Sequence, residues 1–153
     1  MSIQCELRDQ PAQPVLSIRT MTSVERLPQE IARAYGAIAA YLGELGQAPA
    51  GVPFVGYYNM DMQALDVEIG FPTAGPLPGR GEIAAGEIAA GKQATCLYVG
   101  PYEQMAQPYE ALTQFMKEQG LTPSGISYEF YFNDPSVTPA AELRTLIVFP
   151  VGS

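Results

Sequence analysis

The sequence predicts an α+β fold made of a β-α-β-β unit written twice, and three observations carry that prediction. The first is an internal repeat at a shift of 74 residues. The second is one apolar helical stripe in each copy, closed by a glycine. The third is a set of short strand-like runs at matching places around the two stripes.

The repeat lays residues 35–59 (YGAIAAYLGELGQAPAGVPFVGYYN) on residues 109–133 (YEALTQFMKEQGLTPSGISYEFYFN), with 8 identities in 25 aligned positions. Tyr35, Ala37, Glu44, Gly46, Pro49, Gly51, Tyr57 and Asn59 meet Tyr109, Ala111, Glu118, Gly120, Pro123, Gly125, Tyr131 and Asn133. Ile38/Leu112, Tyr41/Phe115, Leu42/Met116, Val52/Ile126, Phe54/Tyr128 and Tyr58/Phe132 are like for like.

In chain order, an apolar strand is expected at 14–21. A helix follows, because Ile31, Tyr35, Ile38, Leu42 and Leu45 recur at steps of four and three. Pro28 is tolerated only in a first turn, so the regular helix starts near it, and Gly46 suits a left-handed residue just past its end. Strands follow at 52–58 and 64–71. Residues 73–81 (TAGPLPGRG), rich in Gly and Pro, form a linker. Residues 82–91, with their tandem EIAAG pentapeptide, lead into a strand at 92–99. The second helix starts near Pro108, carries Met105, Tyr109, Leu112 and Met116, and ends at Gly120. Strands at 126–132 and 143–149 close the copy. One domain over 1–153 results, with module one at about 10–72 and module two at about 82–151. Antiparallel sheets related by a pseudo-twofold leave a central ligand cleft between the fused halves, a place where small-molecule pockets tend to occur.

Composition narrows the chemistry. The 153 residues carry 8 Lys+Arg against 16 Asp+Glu, a net charge of −8, with 47% hydrophobic and 16% charged residues. That apolar content lets a core offset chain entropy. The negative charge opposes a phosphate backbone, so nucleic acid is not an expected partner. With no His, no Ser-His-Asp or Cys-His nucleophile and no His-bearing zinc site can be built. Cys5 and Cys96 form no CxxC motif and read as inert thiols in a reduced, cytoplasmic setting. MSIQCELRDQ lacks the apolar stretch of an export signal, and no run approaches the roughly 20 apolar residues of a membrane span. No metal, cofactor or membrane contact is expected, and the chain reads as a monomer or weak dimer.

The main mismatch between copies is Val55 against Glu129. Strand alternation puts Glu129 with Ser127 and Tyr131 on one face and Ile126, Tyr128, Phe130 and Phe132 on the other. A carboxylate among aromatics must be hydrogen-bonded, protonated or waiting for a cation, unless its face is solvated. Asp66 and Glu68 alternate with Leu65, Val67, Ile69 and Phe71 and read as strand-exterior residues. The turn before them holds Tyr57, Tyr58, Asn59 and Met60; the second copy supplies Tyr98, Tyr102, Tyr128 and Tyr131. Tyrosines around one carboxylate form an environment that holds a lipophilic cation, through cation–π attraction and charge pairing.

Three segments in order, Asp66-Val67-Glu68-Ile69-Gly70-Phe71-Pro72, Val99-Gly100-Pro101-Tyr102-Glu103 and Tyr128-Glu129-Phe130-Tyr131-Phe132-Asn133-Asp134-Pro135, resemble the gyrase-inhibitor-like (GyrI-like) small-molecule-binding family. That family includes the effector-binding domains of multidrug-responsive MerR-type and AraC-type transcription regulators. The resemblance covers about residues 10–150. It implies a central aromatic pocket for bulky, often cationic compounds, with Glu129 as its charge anchor and Glu68 and nearby tyrosines as further contributors. No helix-turn-helix precedes residue 10, so a stand-alone module is expected.

The expected function is binding of hydrophobic, cationic aromatic molecules. Glu129 supplies charge; Tyr57, Tyr58, Tyr102, Tyr131, Phe54 and Met105 supply stacking and a malleable wall. Two alternatives stand beside it. One is hydrolysis of strained electrophiles, as in some proteins similar to the family, with Glu129 and Tyr131 as the catalytic pair. The other is a protein-interaction module, for example with DNA gyrase.

Overall fold

The structure, a computed structural model, describes residues 2–59 and 61–152. In chain order its elements are β1 (Ser2–Gln10), β2 (Gln13–Thr22), α1 (Leu27–Glu44), β3 (Phe54–Tyr57), β4 (Leu65–Pro72), β5 (Ala84–Ile88), β6 (Gly91–Val99), α2 (Ala106–Glu118), β7 (Ser127–Tyr131) and β8 (Arg144–Pro150). A single 3-10 turn, Tyr102–Gln104, precedes α2, and another, Ala140–Glu142, precedes β8. These eight antiparallel strands and two helices fall into two compact units. A middle unit holds residues 11–90; a terminal unit joins residues 2–10 to 91–152.

In the middle unit the strands run in the order β3-β4-β2-β5. The helical stripe read from the sequence forms α1, with Pro28 in its first turn and Ala34, Ile38, Tyr41 and Leu42 buried. Full burial of side chains such as Ile38 and Leu42 contributes roughly 1.5–3 kcal/mol each. Past the helix, Gly46 takes φ +69° and the Gln47 N–H reaches back to the Leu42 carbonyl at 2.9 Å, a Schellman closure. The 73–81 segment is pinned down: Tyr41 Oη donates to the Pro78 carbonyl at 2.7 Å and the Thr73 N–H donates to the Pro14 carbonyl at 2.9 Å.

In the terminal unit the order is β7-β8-β6-β1. Here α2 buries Leu112 and Met116 against Ala94, Cys96, Ile147 and Phe149, with Ile3, Cys5, Leu7 and Met105 packed around them. The turn out of β6 requires glycine, since Gly100 has φ +156° and a Cβ there would lie 2.7 Å from the Tyr98 hydroxyl. That hydroxyl donates to the Pro101 carbonyl at 2.8 Å.

Two strands go beyond the sequence reading. Residues 2–10 form β1, whose Ile3, Cys5 and Leu7 face the terminal core. The segment expected only as a lead-in contains β5, which pairs with β2 rather than with β6 that follows it. Each unit therefore carries the same series, β2-α1-β3-β4 or β6-α2-β7-β8, plus one edge strand. Among the described residues no helix is long and apolar enough to cross a membrane.

Candidate functional site

Glu129 lies mid-strand on β7, opposite Ile147 of β8. Ile147 and Phe149 pack under α2, so strand alternation places Glu129 and Tyr131 on the helix-facing side of the sheet. Glu129 is 8% exposed. From α2, the Tyr109 hydroxyl donates to its Oε2; from its own strand, the Tyr131 hydroxyl donates to its Oε1 at 2.7 Å. Among the described residues no Lys or Arg forms an ion pair with it. Burial raises its pKa above the ordinary glutamate value, and the two tyrosine hydroxyls, which favour the ionised form, offset part of that rise.

Aromatic rings surround the carboxylate. Tyr102, in the turn before α2, meets Tyr131 edge-on with centroids 6.0 Å apart, and Tyr109 tilts against Phe149 at 5.6 Å. The Tyr102 phenol is itself pushed up, first by burial and then by the negative charges of Glu129 and Asp134. Met105 stands at the N-cap position of α2 and packs on the core beneath. The structure thus brings together Glu129, Tyr131 and Tyr102, while Met105 packs on the core under α2.

Tyr109 completes the cluster. From the sequence it reads only as a member of the helical stripe. The signal that finds it is its pairing with Tyr35 in the repeat. In the middle unit Tyr35 tilts against Phe71 at 5.2 Å, as Tyr109 does against Phe149. With Val55 where the terminal unit has Glu129, Tyr35 donates instead to the Phe54 carbonyl, at 3.4 Å.

Glu68 and Tyr58 come together within the middle unit. Phe71, Ile69 and Val67 share the face of β4 that meets α1, so Glu68 and Asp66 point to the opposite face. There Glu68 accepts from Ser17 Oγ at 2.7 Å and from the Tyr58 hydroxyl at 2.6 Å. The Arg19 guanidinium sits 3.6 Å over the Tyr58 ring and binds Asp66 through two bonds of 2.6 and 2.8 Å. Phe54, fully buried, lies on this face by register with Gly70. Tyr57 shares the α1 face with Val55. Met60 lies outside the described residues. A cleft of about 340 Å³ lined by Met21, Thr22, Ser23, Arg26, Glu30, Gln63 and Ala64 contains none of the expected site residues.

Chemically, the Glu129 cluster is a buried carboxyl group held by neutral donors within an aromatic frame. Such a group favours a cation that brings little hydration shell of its own.

Known proteins share this fold. The crystal structure of the EcmrR C-terminal domain matches with a TM-score of 0.76 at 23% identity, covering 100% of this chain and 99% of that one. EcmrR in a cryo-EM complex with DNA matches with a TM-score of 0.83 at 22% identity; 99% of this chain is covered but only 58% of that chain, so this chain spans less than two thirds of it. SAV2435, in a structure bound to tetraphenylphosphonium, matches with a TM-score of 0.69 at 11% identity, covering 98% and 94%. No curated protein sequence matches at a significant level. The sequence profile of the GyrI-like small molecule binding domain matches residues 3–152. With that match across nearly its whole length, the chain belongs to the GyrI-like small-molecule-binding family.

Proposed function

We propose that the protein binds lipophilic aromatic cations at Glu129, with Tyr109, Tyr131, Tyr102 and Met105 forming the contact frame. The observation that carries this reading is the buried carboxylate of Glu129, held among the described residues by the hydroxyls of Tyr109 and Tyr131. Ionising it there is costly without a positive partner. A delocalised cation provides that partner and stacks on the surrounding rings. The tetraphenylphosphonium bound by SAV2435 is a compound of this kind. Glu68 and Tyr58 stand outside the proposed site, because the protein's own Arg19 already covers that tyrosine. The common element series of the two units, with Val55 against Glu129 as the main mismatch, supports an origin by duplication.

The test compares tetraphenylphosphonium with a neutral triaryl analogue by calorimetry on the wild type and on Glu129→Gln, which keeps the shape and removes the charge. The cation is expected to lose about 1.5–3 kcal/mol, the scale of a charge-assisted contact, while the neutral compound changes little. A second readout follows from the raised pKa. A bound cation favours the ionised carboxylate, so binding expels a proton whenever the free protein holds Glu129 neutral. Affinity for the cation therefore rises with pH until Glu129 is ionised before binding, and buffers of different ionisation enthalpy report the proton. Equal loss for both compounds, or loss for neither, overturns the assignment.

A further inference from the structure

Cys5 and Cys96 stand 91 positions apart in the sequence yet directly opposite each other in the antiparallel β1–β6 ladder. Opposed residues in such a ladder have Cα atoms about 4.5–5.5 Å apart, within the 4.4–6.8 Å that a disulfide spans. Both side chains face the same way. Cys96 is fully buried in the core under α2, and Cys5, half-buried, packs against that core from the edge strand. The Cys5 thiol lies near enough to Cys96 to act on its ionisation.

We propose that this pair is an oxidation site, closing to a β1–β6 disulfide when the protein meets a small-molecule disulfide such as oxidised glutathione. The half-buried Cys5 thiolate attacks one sulfur of the oxidant, forming a mixed disulfide and releasing one glutathione thiolate. Cys96 then gives up its proton and attacks the Cys5 sulfur, expelling the second glutathione. Two protein thiols lose two electrons and two protons; one glutathione disulfide gains them as two thiols. Burial, and then the neighbouring Cys5, push the Cys96 thiol up to about 12, so its step is the slower one. The bond would pin an edge strand whose backbone ladder runs along β6 alone. Cys96 also lies opposite Ile147, which lies opposite Glu129, so the bridge forms in the same transverse row as the candidate site.

The test treats the intact protein with oxidised glutathione and follows it by intact mass, peptide mapping and thiol titration after denaturation. The expected product is a monomer lighter by two hydrogens, with no free thiol and a mapped Cys5–Cys96 link, reversed by a reducing agent. In Cys96→Ala a single glutathione adduct should persist on Cys5; in Cys5→Ala the remaining thiol should stay unmodified while the protein is folded. Wild-type protein that keeps both thiols, retains the adduct on Cys5 without closing, or links between chains overturns the proposal.

Discussion

Thr145 is fully buried, and its hydroxyl has no hydrogen-bond partner among the described residues. It stands on β8 between Tyr98 of β6 and Tyr131 of β7. An unpaired buried hydroxyl carries its desolvation cost with no return. Thr145→Val, which keeps the shape, is therefore expected to raise the unfolding free energy by about 1 kcal/mol in urea titration; a loss of stability would show that the hydroxyl is bonded in solution. Legibility at this scale was uneven. Glu129 stood out because it replaced an apolar residue of the other copy. Tyr109 did not, because a tyrosine in an apolar stripe looks the same whether its hydroxyl meets water, a carbonyl or a carboxylate. Nor does linear sequence show that Cys5 opposes Cys96, since that depends on strand register.

Among the elements, the two helices end in the same way. Gly120 takes φ +69°, and the Leu121 N–H bonds the Met116 carbonyl at 2.9 Å. Nothing lies within 4 Å of a Cβ built there, so substitution meets no steric obstacle and tests the backbone alone. Gly120→Ala is expected to cost about 1 kcal/mol in chemical denaturation, and Gly120→Asn less; no cost for alanine would refute the closure. The helices and six of the eight strands were legible from periodicity, as were the Pro starts and Gly stops. β5 was not. Ala84-Ala85-Gly86-Glu87-Ile88 is poor in strand-forming residues, and its pairing with β2 holds it extended. β1 did carry a signal, the alternation of Ile3, Cys5 and Leu7 with Gln4 and Glu6. Three apolar positions among polar neighbours are too few to assign a face without a partner strand.

For the molecule as a whole, charge governs association. With a net charge of −8, binding to duplex DNA is expected to be no tighter than the roughly micromolar limit of nonspecific complexes, as read by fluorescence anisotropy at physiological salt. A tighter, salt-sensitive complex would contradict this. That expectation comes from composition, as does the absence of histidine chemistry; the place of β1 was not legible, because it completes a unit whose other members begin at Gly91. This ordering has a consequence during synthesis. The middle unit has all its own strands once residue 90 is made. β1 must wait for β6, because its pairings run from Gln10↔Gly91 to Ser2↔Val99. At about 5–20 residues per second the ribosome takes roughly 5–20 s to supply that partner. For that interval the nascent chain exposes an unpaired strand bearing Ile3, Cys5 and Leu7, the kind of edge that holdase chaperones and neighbouring nascent chains bind.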